Sequence, residues 1–215
     1  MLDDPLIPRH DGAHRGFPID TASARSTFEW LGTRSVAVDV PPIGRKWCRT
    51  PAVNAHSVDR VPITIRPFAA ADATPTLEVF QHAIRTTAAA DYSSEQIAAW
   101  APVDADIGAW LERRFQLNTV VAVVDDLIAG FTDLSASGYI DMMFVDPAVG
   151  RRGIATALLL WARTEAERLG SSTLTTHASI TARPFFEAQG FVVDHERHPI
   201  VRGVVMTNYV MSCSL

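Results

Sequence analysis

The sequence predicts an α/β fold, a mixed central sheet with helices on both faces, and three observations lead there. From Val61 onward short apolar strands and amphipathic helical stretches follow one another in the order β-α-α-α-β-β-β-α-β-α-β-β. Hydrophobic residues make up 47% of the 215 residues, enough to build a core. The stretch Tyr139–Leu159 reads as an apolar strand, a glycine-bearing loop and a helix, an arrangement suited to α/β folds.

Residues 1–60 stand apart. They hold six of the thirteen prolines and show no sustained period of either kind. Only Phe28–Val40 suits a short strand or hairpin, with Val36, Val38 and Val40 alternating. This segment reads as a Pro-rich N-terminal extension, either partly disordered or an arm packed on the domain of residues 61–215.

The regular part begins with Ile63 and Ile65, which alternate in a strand ending at Arg66-Pro67. Asp72 opens a helix through Leu77, Val79, Phe80 and Ile84. Ser93 or Ser94 caps a short second helix, with Glu95 in its first turn, and Asp104 opens a third. Strands follow at Thr119–Val124 and Ile128–Leu134, joined by Asp125-Asp126, and then at Gly138–Val145. A helix from Arg151 carries Ile154, Leu158 and Trp161 on one face and stops at Gly170. Leu174–His177 is a strand, Ala182–Gln189 a helix stopped by Gly190, and Phe191–Glu196 and Gly203–Met211 are the closing strands.

Charge and composition exclude several classes. Residues 1–60 carry eight basic and seven acidic groups, residues 61–215 eleven and seventeen. An acidic domain binds nucleic acid poorly, because that affinity comes from neutralising phosphates; it tolerates a cationic amine. No run of eighteen apolar residues is present, so neither a membrane span nor a membrane partner is expected. The N-terminus lacks the basic start and apolar stretch of a secretory signal, and cytoplasmic residence is the default expectation. Cys48 and Cys213 lie too far apart in sequence to suggest a disulfide framework or a metal set, and no metal is expected.

The chemistry is concentrated in Tyr139–Leu159. The first N–H groups of a helix have no intrahelical partners and carry partial positive charge, so they hold anions. Gly153 removes a Cβ where a phosphate would approach. The candidate phosphate-binding residues are therefore Gly150, Arg151, Arg152, Gly153, Ile154, Ala155 and Thr156. A nucleoside-triphosphate loop would continue Gly-Lys-Ser/Thr, and Ile154-Ala155-Thr156 follow Gly153 instead. A dinucleotide fingerprint needs three glycines in its own spacing and an acidic residue on the next strand.

The remaining pattern resembles the acetyl-CoA pyrophosphate loop of the GCN5-related N-acetyltransferases (GNAT family), Gln/Arg-x-x-Gly-x-Gly/Ala after a strand ending Val-x-Pro. Gly153 and Ala155 match its last fixed positions, while Gly150 replaces the Gln or Arg. DYSSEQIAAWAP, YIDMMFVDPAVGRRGIATALL and HASITARPFFEAQGF are similar to the small bacterial YafP-type group, and the resemblance covers roughly residues 61–213. It implies a splayed sheet of about six to seven strands, with acetyl-CoA as donor and an amine as acceptor. Backbone N–H groups within Met143, Phe144 and Val145 would bind the thioester carbonyl. Ser179 falls on the polar position of Asn-x-x-Ala, where it either reaches the pantetheine or caps a helix. Phe186 occupies the position of a tyrosine that often protonates the leaving thiolate in the family.

Acyl transfer requires a proton acceptor, oxyanion donors and a departing thiolate. Asp141, a carboxylate in an apolar strand, is the leading base candidate; the competing reading is a carboxylate paired with an arginine. Strict alternation would give it one face with Tyr139 and Met143. His177 and Tyr139 are the other proton-transfer candidates, with hydrogen-bonded and pocket-lining readings beside them. Tyr92, Trp100 and Asn208 are acceptor-site candidates, the aromatics reading equally as core or lid packing. Such aromatics opening on the cavity would suit a flat or aromatic amine. No cysteine lies near the loop, which favours direct transfer in a ternary complex. The alternatives are a non-catalytic acyl-CoA sensor or interaction module, and an enzyme whose Met142 and Met143 admit a larger acyl group. C-terminal strand exchange or pairing offers a route to a homodimer.

Overall fold

The structure, a computed structural model, describes residues 36–38 and 62–215. β-Branched runs form the strands: β1 (Val36–Val38), β2 (Ile63–Pro67), β3 (Asn118–Val124), β4 (Leu127–Leu134) and β5 (Tyr139–Val145), then β6 (Thr173–Ser179), β7 (Val192–Arg197), β8 (Ile200–Val201), β9 (Val204–Val205) and β10 (Asn208–Ser214). The helices are α1 (Ala73–Thr86), α2 (Ser94–Trp100), α3 (Ile107–Gln116), α4 (Ile154–Arg168) and α5 (Arg183–Ala188). The main sheet has eight strands in the order β1-β2-β3-β4-β5-β6-β10-β7, and β8 and β9 form a separate ribbon. One of its strands, β1, comes from the Pro-rich segment; the rest of Phe28–Val40, like Cys48, lies outside the described residues.

Local chemistry explains where the elements begin. Asp72 sits under the start of α1, accepting from the Ala69 N–H at 2.8 Å and from the Arg66 guanidinium. Ser93 and Gln96 exchange side-chain and backbone hydrogen bonds in a capping box at α2. The third helix begins later than expected, because Asp106 rather than Asp104 takes the cap and accepts from Gly108 and Ala109. Asp125 and Asp126, both at positive φ, turn β3 into β4. The expected strand Gly203–Met211 is two strands: Arg202 and Gly203 take positive φ in a tight turn joining β8 to β9, and β10 starts afresh at Asn208.

Helices cover both faces. α1 and α3 bury Val79, Phe80, Ile84 and Trp110 against Val121 and Phe131. On the other face, the first half of α4 packs Ile154, Ala157 and Leu158 over Ile65, Val120 and Ala122. Its second half packs Leu159, Ala162 and Ala166 over Ile140, Leu174 and Met211. Gly130 makes this contact close: a Cβ there would lie 2.7 Å from the Phe144 carbonyl oxygen and 3.2 Å from Ile154.

β5 contains an irregularity that determines what faces the site. Thr132 pairs with Met143, yet Leu134 pairs with Ile140, so Asp141 and Met142 together oppose Asp133. This is a β-bulge, and it resets the alternation. Met143 and Val145 consequently pack on the α4 side, and Met142 and Phe144 on the α1 side. Met143 does not share the face of Tyr139 and Asp141 that strict alternation required.

Candidate active site

The sheet comes apart at one place. β5 and β6 are parallel neighbours that pair only at Tyr139/Thr175 and Ile140/Thr176, and beyond those residues they diverge. On its other edge β5 stays bound to β4, and the Asp146 N–H donates to the Ala129 carbonyl at 2.9 Å. Backbone alternation then turns the Phe144 N–H toward β4 and the N–H groups of Met143 and Val145 into the gap. Of the three oxyanion candidates, Met143 and Val145 present donors there and Phe144 does not.

The gap leads to the glycine loop. Asp146 accepts from the Ala148 N–H and from His82 on α1, both at 2.9 Å, which fixes the turn Pro147–Val149. Gly150 has an ordinary negative φ, whereas Arg151 and Gly153 take φ of 64° and 87°. The helix starts at Ile154, three residues later than expected, because these two positive φ values keep Arg151–Gly153 in the loop. Gly153 is the N-cap residue and brings no side-chain cap. The N–H groups of Ile154, Ala155 and Thr156 therefore have neither an intrahelical acceptor nor a side-chain cap, and the exposed Arg151 and Arg152 precede them. The Ile154 side chain is buried in the core, so its contribution to a ligand is its N–H alone.

A cavity of about 580 Å³ runs from Ala155 in the first turn of α4 through the gap toward α1 and α2, and Gly150–Gly153 are not among its lining residues. Among the sequence candidates it is lined by Tyr92, Trp100, Tyr139, Asp141, Met143, Phe144, Val145, Ala155, His177, Ser179, Phe186 and Asn208. Tyr139 and His177 face each other across the parting strands, hydroxyl to Nδ1 at 3.0 Å. Burial, reinforced by the Asp141 carboxylate, pushes the Tyr139 phenol above its ordinary pKa, so it stays protonated. Arg197 of β7 lies against the His177 ring, its Nη1 2.9 Å from each nitrogen. Asp141 is held by Arg113 of α3 at 2.9 Å, the ion pair that had been the competing reading.

Other candidates have structural occupations as well. The Tyr92 hydroxyl donates to the Thr207 carbonyl at 2.6 Å and accepts from the Ile180 N–H at 2.9 Å. Ser179 accepts from the Ala182 N–H at 3.0 Å and so shapes the turn before α5, although the residue at the helix cap is Ala182. Phe186 is 4% exposed and stacks edge-on against Phe185 and Phe191. Asn208 carries a buried side-chain oxygen with no hydrogen-bond partner among the described residues.

Sequence reasoning missed Arg113, Arg197 and the β8–β9 ribbon, whose Ile200 and Val201 close one wall of the cavity. A signal existed for the arginines of α3. Arg114 falls four residues after Trp110 on the buried stripe, which requires a buried anion opposite, and Asp133 meets it there. Arg113, one position round the helix, reaches Asp141.

Comparison with known proteins places this geometry in context. Residues 88–213 match a family profile described as an acetyltransferase (GNAT) domain. The chain is 38% identical over 150 residues to the Escherichia coli (strain K12) protein named uncharacterized N-acetyltransferase YafP, covering 69% of this chain and 94% of that one. A GCN5-related N-acetyltransferase from Rhodopseudomonas palustris superposes with a TM-score of 0.70 at 31% identity, covering 75% of this chain and all of that one. PaiA N-acetyltransferase from Thermoplasma acidophilum, solved in complex with coenzyme A, shares the fold at a TM-score of 0.61 and 19% identity, over 71% of this chain and 99% of that one.

Proposed function

The chain belongs to the GCN5-related N-acetyltransferase family, and we propose that it moves an acetyl group from acetyl-CoA to the primary amine of a small molecule or protein, by direct transfer in one ternary complex. The observation that carries this reading is the divergence of β5 from β6 beside the uncapped start of α4. It supplies an anion site, a channel and two unpaired N–H groups in sequence along one cavity. A pyrophosphate fits the N–H groups of Ile154–Thr156, with Arg151 and Arg152 flanking it. Residues 61–215 constitute the catalytic unit in this reading and residues 1–60 an appended segment. The enzyme works in the cytoplasm, and a homodimer through the C-terminal strands is the proposed assembly.

In the reaction the amine nitrogen attacks the thioester carbonyl carbon. Charge gathers on the carbonyl oxygen, where one of the Met143 and Val145 N–H groups meets it; the two stand about 6.6 Å apart along the strand, which leaves the other for the pantetheine arm. His177 takes the proton shed by nitrogen, because the Asp141 carboxylate is already engaged by Arg113. Tyr139 gives its proton to the departing thiolate and recovers one from His177 through their 3.0 Å hydrogen bond. This assigns to Tyr139 the role that Phe186 has no group to perform.

Calorimetry with acetyl-CoA tests the loop. Gly153→Val places a branched side chain at φ 87° in the anion site and should weaken binding at least about tenfold; unchanged affinity overturns the assignment. His177→Gln should lower kcat about a hundredfold with that affinity intact. Tight acetyl-CoA binding with no CoA release from any amine would identify an acyl-CoA sensor instead.

A further inference from the structure

The acceptor end of the cavity has an unusual balance of charge for an enzyme of amines. Among the described residues that line it, Asp141 is the only carboxylate, and neither lysine nor arginine is present. That carboxylate is already neutralised by Arg113 at 2.9 Å, and a second cation, Arg197, stands behind His177 at 2.9 Å. An ammonium ion brought here would lose its water, find its one anion already engaged and face two guanidinium groups. The surplus of acidic residues over 61–215 is therefore no guide to the acceptor: the one carboxylate lining the cavity is already paired, and Asp91 behind the wall is exposed and accepts from Thr181 at 2.6 Å.

The walls point to the body of the molecule. Phe80, Trp100 and Phe144 line this end, with ring centroids 4.9 Å apart for Phe80 and Phe144 and 6.3 Å for Trp100 and Phe144. Both contacts are edge-to-face, and Tyr92 continues the series against Trp100 at 5.3 Å. A flat ring extends such a series with the same quadrupolar complementarity. Ile200 and Val201 of β8 add to the wall, again apolar.

We propose that the acceptor is a small, weakly basic arylamine that enters the site uncharged. The proposal rests on the acetyltransferase reading and narrows its substrate. The nitrogen of such an amine carries a free lone pair at neutral pH, so no base is needed before attack. A C–N bond forms at the thioester carbon, the C–S bond breaks, and the proton lost by nitrogen ends on the CoA thiolate. The products are an N-acetylarylamine and free CoA.

The test compares two amines with the same ring, p-toluidine and 4-methylbenzylamine, with spermidine and a lysine peptide as cationic controls. CoA release is measured at pH 7.5 on the full chain. The alkylamine, like a lysine, is almost wholly charged at that pH, so kcat/KM should favour p-toluidine by about a hundredfold or more. Turnover of 4-methylbenzylamine or spermidine equal to or above that of p-toluidine overturns the proposal, as does failure of p-toluidine to react. Arg113→Gln, which frees Asp141 to meet an ammonium, should narrow the preference for the arylamine over the benzylamine about tenfold. An unmoved ratio in the folded variant counts against the electrostatic argument and overturns it. The wild-type comparison stands alone should that variant not fold. Calorimetry with acetyl-CoA is run alongside: binding with alkylamine turnover sinks only the substrate assignment, whereas no binding sinks the acetyltransferase reading too.

Discussion

Arg113 and Arg114 are adjacent in sequence but meet different carboxylates, and the difference in burial sets their weight. Arg113–Asp141 borders the cavity, while Arg114 and Asp133 are both fully buried, with Arg114 4.8 Å above the Trp110 ring. Burial pushes the Asp133 carboxyl above its ordinary range, and Arg114 and Thr119 pull it back down. Burial likewise lowers Arg114. Each group is tolerable only because the other is present. Arg114→Met, which strands Asp133, should cost about 3–5 kcal/mol in urea denaturation, and adding Asp133→Leu should recover most of that loss. At this scale the sequence was informative about type more than geometry. Asp141 stood out as a carboxylate in an apolar strand, but its partner comes from a helix 28 residues earlier. The separation of Met143 from Asp141 depends on a bulge that no residue in the strand announces.

The ribbon of β8 and β9 is held mainly by tertiary contacts to α2 and its approach. Gln96 donates to the Val205 carbonyl at 2.9 Å, Arg202 to the Ala99 carbonyl at 2.7 Å, and Tyr92 to the Thr207 carbonyl at 2.6 Å. Two-residue strands have no stability of their own, so these bonds set the position of the wall they form. Tyr92→Phe removes one of them and also leaves the Ile180 N–H without its acceptor. The expected result is a loss of about 1–3 kcal/mol in chemical denaturation, together with faster amide exchange at Val204–Met206. Sequence reading merged β9 with the last strand, because Val204, Val205 and Met206 continue the apolar pattern, and left β8 unassigned. Gly203 was the available sign of a turn, and it lies at φ 82°. The start of α4 was misjudged for a related reason: Arg151 and Arg152 favour helices by propensity, but the loop geometry carries both outside it.

Across the whole molecule, the sheet is two blocks of strands joined by two residue pairs, with α4 lying over both. Fold class and the order of elements along the chain were legible because each follows from short-range pattern and turn chemistry. The aromatic wall of the cavity was not, since it is assembled from α1, α2, β5 and the ribbon, which are far apart in the chain. A ligand that spans the junction stabilises the folded chain and not the unfolded one. Acetyl-CoA at a hundred times its Kd should add about 2.7 kcal/mol, read as a rise in Tm, and a tenfold loss of affinity in Gly153→Val should cut this to about 1.4 kcal/mol or less at the same concentration.

A sheet normally has two free edges, and proteins protect them with charge, bulges or short strands. The divergence of β5 from β6 gives this one four. The interior edge on β5 turns the N–H groups of Met143 and Val145 into a largely apolar cavity whose described lining includes no lysine to guard them. The described chain thus carries unpaired strand backbone in its middle, and the opening proposed to admit the donor is also where a foreign strand would pair. Occupancy of that opening is a matter of solubility as well as of catalysis.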